Sequence, residues 1–392
     1  MTFKIKRDYQ RCTNCIMDTT DPLIEFDEKG VCNHCNYYKQ YEQNQMLKGE
    51  LAQQQIDKMV TEIKHDGVGK DYDCIMGLSG GVDSSYLAYY ATKELGLRTL
   101  IVHVDSGWNS ELAVNNIENI VKILDLDLHT LVLDWDEIRD LQRAFFKSSV
   151  PNCDIPQDHA FIASLYSEAK KFNLKHILNG GNMATESILP KAWGYDASDK
   201  IHLKDIHSKY GEKKLKSYPT ISLFQKEILY PLIYGLKVHR PLEFIEYNKE
   251  KVKNFLISEL GWRDYGGKHY ESNFTKFFQG YYLPEKYGFD KRLAHYSSLI
   301  VSGQMTRKEA LNNISDPLYD QNNLKQDRDF FIKKLGFSRS EWDQIMKMEP
   351  KSEHDFKNEI KISKLLRRIM YFISLPGRVI QKVTRLSSNL FK

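Results

Sequence analysis

The segment Ser79-Gly-Gly-Val-Asp-Ser-Ser85 follows an apolar run at residues 72–78 and opens a helix-like stretch at 86–95. Strand, glycine loop and helix start, in that order, form the unit from which α/β folds are built, and the loop is where such a unit holds phosphate. Gly80 and Gly81 lack a Cβ, so the backbone can take unusual dihedrals and its amides can come close to a pyrophosphate. The helix start adds the unpaired N–H groups of Val82 and its neighbours and the positive end of a dipole. Ser79, Ser84 and Ser85 offer further donors, and Asp83 is placed to hold Mg²⁺ against the same phosphates. A lysine before Ser or Thr, as in the Walker loop, is absent from this segment.

Downstream, apolar β-branched runs alternate with helical stretches. Strands are expected at 99–104, 128–133 and 175–179, and helices at 53–65, 111–124, 137–148 and 158–172. This alternation predicts an α/β fold with a doubly wound parallel sheet, whose ligands bind at the carboxyl ends of the strands. Three segments converge there: the glycine loop, Val104-Asp-Ser-Gly-Trp-Asn109, and Asn179-Gly-Gly-Asn-Met-Ala-Thr-Glu186. Asp105 is placed to flank adenine or ribose. Gly180 and Gly181 precede Asn182 and Glu186, four apart at a helix start, which read either as nucleotide or magnesium contacts or as a helix cap.

Near the N-terminus, Cys12-Thr-Asn-Cys15 and Cys32-Asn-His-Cys35 repeat a CxxC pair. Two such knuckles supply the four ligands of a structural Zn²⁺, with disulfides or an iron–sulfur cluster as rivals. A short strand is expected at 23–27, and His34 reads as a spectator. Zinc here supplies folding energy to a segment too small for its own core. Cys74 reads as a core residue, and Cys153, on a loop, as one able to face the site. Hydrophobic content of 41% and charged content of 28% suit a soluble globular chain, with no membrane-length apolar stretch and no signal-peptide core. The expectation is a cytoplasmic protein. Of the net charge of +4, eight Lys or Arg and no acid fall in 361–392, leaving 48 basic against 52 acidic residues. A body so balanced argues against a long nucleic-acid partner.

Beyond residue 241 the pattern is mostly helical, with 242–260 as the longest run. Capping boxes stand at Thr306–Glu309 and Ser338–Glu341. Ahead of both lie Lys268, His269, Glu271, Arg292 and His295, too many charges for a helical core. Lys268 and Arg292 suit an anionic substrate, and His269 or His295 a proton transfer; a solvated surface is the competing reading. The tail at 361–392 reads as a basic amphipathic pair of helices. It suits anionic lipid at the inner membrane face or docking on the body or a partner.

The glycine loop resembles the PP-loop of ATP pyrophosphatases, with their adenine nucleotide alpha-hydrolase-like sheet. Gly266-Gly-Lys-His-Tyr-Glu-Ser272, Phe289-Asp-Lys-Arg-Leu-Ala-His-Tyr-Ser-Ser-Leu-Ile300, Ser302-Gly-Gln304 and Asn179-Gly-Gly-Asn182 resemble the N-acetyl sugar amidotransferases of bacterial surface-polysaccharide (LPS O-antigen or capsule) biosynthesis. The resemblance spans about residues 10–350, and the chain is expected to divide into a zinc ribbon at 1–50, a PP-loop domain at 51–240, a helical substrate or partner region at 241–355 and, outside the resemblance, a tail at 356–392. It also implies ATP as cosubstrate, Mg²⁺, and conversion of an acetamido to an acetamidino group through an adenylated imidate. The ATP would be held by Ser79, Gly80, Gly81, Val82, Asp83, Ser84, Ser85, Asp105, Gly180, Gly181, Asn182 and Glu186, and the chemistry assisted by Asp83, Lys268, His269, Arg292 and His295. No cysteine stands in a glutaminase context, so the resemblance implies separate glutaminase and ammonia-conducting cyclase-like subunits. A tRNA-thiolating enzyme and a nucleotide-binding scaffold recruited to the membrane are the alternatives.

Overall fold

The computed structural model describes residues 7–266, 270–362 and 365. Its centre is a five-stranded parallel sheet in the order β3-β2-β1-β4-β5. The strands are β1 (Cys74–Gly77), β2 (Thr99–Asp105), β3 (Leu128–Val132), β4 (His176–Leu178) and β5 (Lys237–His239). Ile75 of β1 is registered with Leu100 on one side and Ile177 on the other, so the strand before the glycine loop occupies the middle of the sheet. Strand side chains alternate between faces, and the cores follow. Cys74 and Met76 point into a layer made by α2 (Glu50–Asp66), α3 (Val82–Tyr89), α4 (Glu111–Leu124) and α9 (Lys249–Leu260). Ile75 points the other way, with Leu100 and Val102, onto Ala163 and Tyr166 of α6 (Ile155–Lys171).

A third core lies beside the sheet. It joins the N-terminal cysteines to α5 (Trp135–Ser148), α8 (Lys200–Tyr210) and the C-terminal helices α10 (Asn273–Phe277), α11 (Leu283–Tyr287), α12 (Lys291–Val301), α13 (Arg307–Ser315), α14 (Gln321–Leu335) and α15 (Arg339–Lys347). Phe146, Phe274, Phe277, Phe331 and Trp342 are fully buried there and meet edge-on or tilted. Both expected capping boxes form, Thr306 with Glu309 ahead of α13 and Ser338 with Glu341 ahead of α15. α4 starts at Glu111 with Ser110 accepting from the Ala113 amide, and it spans the residues its periodicity predicts.

Several expectations need correction. The run 242–260 is broken: a 3₁₀ turn covers Pro241–Phe244, and α9 begins only at Lys249, where Asn248 caps the Lys251 amide. The stretch 86–95 ends as α-helix at Tyr89 and finishes in a π-helical turn, Tyr90–Glu94. At 23–27 there is a single bridge, Phe26 to Cys32, in place of a strand. Elements absent from the sequence expectations include α1 (Asn33–Asn44), which is polar, α8, the π-helical stretch Gln225–Ile233, and β5, a short edge strand of Lys, Val and His. Residues 363, 364 and 366–392 lie outside the described residues, and with them nearly all of the basic tail. No described helix is long and apolar enough to cross a membrane.

Candidate functional site

The carboxyl end of β1 leads directly into the glycine loop. Gly80 has φ of +81°, and a Cβ there would lie 2.7 Å from the carbonyl oxygen of Ala113 in α4. Only glycine fits both demands. The loop is braced by its own hydroxyls: the Gly81 amide donates to Ser79 Oγ at 3.3 Å, Ser79 and Ser84 Oγ are 3.1 Å apart, and Ser84 Oγ donates to the Gly81 carbonyl at 3.2 Å. From the far side, the buried indole of Trp262 donates to the Gly80 carbonyl at 2.9 Å. α3 then starts with Val82, Asp83 and Ser84 in its first turn.

The β4 loop packs onto this start. A Cβ on Gly180 would sit 3.2 Å from the Asp83 carbonyl group and 3.4 Å from the Ser84 amide nitrogen, so the two loops touch backbone to backbone. Asn182 is a helix cap: its Oδ1 accepts from Thr185 N at 3.0 Å, leading the short helix α7 (Met183–Glu186). Its Nδ2 turns back to the Gly180 carbonyl at 3.3 Å and toward Asp83 Oδ1 at 3.5 Å, so capping and contact with the carboxylate coexist in one side chain.

Together the loops floor a cleft of about 870 Å³. Ser79, Gly81, Val82, Asp83, Ser84, Gly180, Gly181 and Glu186 line it from the sheet side. Tyr265, Tyr270, Glu271, Lys291, Arg292, His295 and Tyr296 line it from the C-terminal side. The two sides are clipped together by main chain: Ser110 N donates to the Glu271 carbonyl at 2.9 Å and Asn273 N to the Trp108 carbonyl at 2.9 Å. Glu271 and Tyr265 overhang the loop, within 3.3 and 3.5 Å of where a Gly81 Cβ would stand. Burial, and then the charge of Glu271, hold the Tyr265 hydroxyl protonated; burial and Asp83 do the same for Tyr247. Lys253 is held charged by its hydrogen bond to Asp264, 2.8 Å away.

Not every expected residue reaches this cleft. Ser85 is fully buried behind the loop, with no hydrogen-bond partner for its Oγ among the described residues. Asp105 opens instead into a second cavity of about 610 Å³, between Trp135, Phe330 and Lys334. Its Oδ1 accepts from the Gly107 amide at 2.7 Å and from Asn109 at 3.1 Å. Arg292 lines the cleft, but its guanidinium is engaged by Asp290 at 2.8–3.2 Å and by the carbonyls of Asp316 and Ile314. Its cation is therefore largely neutralised in place. Lys268 and His269 lie outside the described residues. Cys153 faces no cleft: it is fully buried 3.9 Å from the Tyr282 hydroxyl, and burial pushes its thiol up; Cys74 is pushed up to about 12 for the same reason. Tyr247 gave no signal in the sequence, since its partner Asp83 is 164 residues away; Trp262 and Tyr265 stand in a polar and aromatic stretch, 262–271, whose residue types do not by themselves tell which of them meets the loop.

The second site is the cysteine cluster. The Sγ atoms of Cys12, Cys15, Cys32 and Cys35 all lie within 4.8 Å of one another, with Cys12–Cys35 at 3.9 Å and Cys15–Cys32 at 3.7 Å. Four sulfurs about 2.3 Å from one ion stand about 3.8 Å apart at tetrahedral corners, so the spacing fits Zn²⁺. Amides of Asn14, Cys15 and Cys32 point at Cys12 Sγ, and Asn14 Nδ2 at Cys35 Sγ, as donors to thiolates would. His34 is turned away onto Asp21 at 2.8 Å, the spectator its position implied. The knuckles dock on the C-terminal helices: Ile16 N donates to Ser297 Oγ, and Arg307 reaches the carbonyls of Cys15 and Cys12.

Residues 271–370 match the family described as LPS biosynthesis protein WbpG-like, C-terminal domain. The uncharacterized protein MJ1599 of Methanocaldococcus jannaschii is 22% identical over 313 residues, 78% of this chain and 94% of its own length. Among solved structures, an NH3-dependent NAD synthetase from Campylobacter jejuni, in complex with the nitrate ion, aligns 69% of this chain with 99% of its own at 16% identity and a TM-score of 0.32. An NMN synthetase from Francisella tularensis aligns 53% with 95% at 14% identity and a TM-score of 0.27. The family match covers Glu271, Phe289–Ile300 and Gln304, residues that also carry the amidotransferase resemblance. By motif and by family match alike, the stretch that forms most of the C-terminal wall of the cleft is similar to the C-terminal domain of the WbpG-like LPS biosynthesis proteins.

Proposed function

We propose that this chain is an ATP-dependent, AMP-forming amidotransferase of LPS or related glycan biosynthesis that converts an acetamido group of a sugar to an acetamidino group. The observation that carries the reading is one cleft with two unlike sides. A glycine loop at a helix start forms one side, and the WbpG-like wall forms the other. At about 870 Å³ the cleft is near the top of the roughly 300–1,000 Å³ range of ligand pockets, enough for nucleotide and acceptor together.

An amide carbonyl is a poor electrophile, so its oxygen must first become a leaving group. The acetamido oxygen attacks the α-phosphorus of ATP, the α–β bridge breaks, and pyrophosphate departs. Ammonia adds to the imidate carbon, AMP leaves with the oxygen, and a proton is lost to give the amidine. The amides of Gly81 and the first turn of α3, with Ser79 and Ser84, bind the phosphates. Asp83 and Glu186 supply hard oxygen donors that would hold Mg²⁺, whose charge would offset that of a departing pyrophosphate. On the other wall, Tyr270 and Tyr296 line the side where a sugar ring would sit, and His295 is the candidate for proton transfer.

The burial of Cys74 and Cys153 leaves neither as a thiolation or glutaminase nucleophile, which supports the amidotransferase reading over tRNA thiolation and a separate glutaminase partner as the ammonia source. The test is AMP and pyrophosphate release from ATP with ammonium chloride and a panel of UDP-linked diacetamido sugars and acetamido nonulosonic acids. Sugar-dependent AMP, with the sugar lighter by about one mass unit as NH replaces O, is the expected result. AMP formed only with tRNA, or ATP binding without any turnover, sinks it. Asp83→Asn is expected to lower turnover at least about a hundredfold, the scale of a lost electrostatic group at a reacting centre.

A further inference from the structure

Tyr247 takes no part in the chemistry above, yet its hydroxyl donates to Asp83 Oδ1. The side chain is 6% exposed, and its ring stands edge-on to Tyr86, which lies about one turn along α3 from Asp83, with centroids 5.9 Å apart. The Asn182 amide reaches the same oxygen only at 3.5 Å, near the outer limit of a hydrogen bond, while its Oδ1 caps α7. A carboxylate on the first turn of a helix can swing about two torsions, and a buried phenol on one oxygen fixes its plane.

The backbone of Tyr247 is held on its amide by the Ile245 carbonyl at 2.9 Å and on its carbonyl by a side-chain amide. Gln304 Nε2 donates to the Tyr247 carbonyl at 3.2 Å while its Oε1 accepts from Lys249 N at 2.8 Å. Nε2 also lies 3.3 Å from Ser302 Oγ, and that hydroxyl donates to the Ala184 carbonyl of α7 at 2.8 Å. One glutamine thus joins the turn before α9, the end of α12 and the β4 loop. α12 also carries Lys291, His295 and Tyr296 of the acceptor wall.

We propose that Tyr247 and Gln304 form a positioning pair that fixes the Asp83 carboxylate for the divalent cation accompanying the nucleotide. The inference rests on the reading of Asp83 given under Proposed function. Because Gln304 follows directly on α12, the pair also ties the cation side of the cleft to the acceptor side.

The experiment is Mn²⁺ binding to the full-length chain in the presence of α,β-methylene-ATP, followed by electron paramagnetic resonance, for the parent, Tyr247→Phe, Gln304→Ala and Asp83→Asn. Tyr247→Phe keeps the ring and its packing, so its melting temperature should stay near the parent's. Its Mn²⁺ affinity should fall about tenfold, the scale of one hydrogen bond to a charged group. Gln304→Ala should shift affinity the same way by less, and Asp83→Asn should set the floor. In turnover, the metal concentration for half-maximal rate should rise in Tyr247→Phe with KM for the sugar unchanged. Parent-like Mn²⁺ binding by Tyr247→Phe overturns the proposal, and parent-like binding by Gln304→Ala removes the glutamine from it. Parent-like binding by Asp83→Asn is a different failure, since it takes the cation away from Asp83 itself.

Discussion

Gly80 carries two constraints that no other residue type meets together, a positive φ and a carbonyl oxygen where its Cβ would be. Gly80→Ala is therefore expected to cost about 1–3 kcal/mol in strain alone, read as a lower urea midpoint, and to reduce ATP-dependent turnover by displacing the loop from α4. Trp262→Phe tests the same carbonyl from the other side. It leaves a buried acceptor without its indole donor, a loss of about 1–3 kcal/mol. If Trp262→Phe melts like the parent, water replaces the indole and the brace is dispensable. The glycines, serines and Asp83 of the loop could be read from the chain because their chemistry is local. Trp262 could not, since its purpose depends on a partner 182 residues away.

At the scale of elements, most strands and helices of the sheet followed their periodicities closely, and each failure has its own local cause. The stretch 242–260 has apolar residues at helical spacing throughout, but Pro241 starts a tighter turn and Asn248 competes for the next amides, so α9 starts late. That interruption is what delivers Tyr247 to Asp83. β5 was invisible because an exposed edge strand of Lys, Val and His has no buried face to impose alternation. The cysteine knuckles were legible from spacing alone, but their docking on α12 and α13 was not. Purified chain is expected to hold one zinc, released stoichiometrically by a thiol oxidant, and Cys35→Ser to lose it. That loss should lower the melting temperature by several degrees, because the ribbon's contacts with Ser297 and Arg307 go with the metal. Full zinc content in Cys35→Ser would exclude a four-sulfur site.

For the whole molecule, the sheet order and the depth of the cores give an acid limit to stability. Burial depresses His159 and His202 to about 4 from the ordinary 6.5. His159 is locked neutral, with Nδ1 2.6 Å from the Ala197 carbonyl and Nε2 accepting from Ile221 N. Between those two values the unfolded chain binds protons that the folded chain refuses, so stability present above pH 6.5 is lost as pH falls toward 4. Melting temperatures should be level from pH 7 to 8 and decline below about 6.5, less steeply in His159→Gln; a flat profile down to pH 5 would contradict this. The fold class was readable because it rests on repetition, whereas the closing of the cleft by the C-terminal helices rests on contacts spread along the chain. The ribbon shows what that spread entails during synthesis. Its anchors on Ser297 and Arg307 lie 281–295 residues later in the chain. At about 5–20 residues per second, roughly 15–60 s pass before those anchors leave the ribosome. Until then Ile16 lacks its partner on Ser297 and the knuckles lack Arg307, and a metal on the four sulfurs is what would keep the nascent knuckles closed.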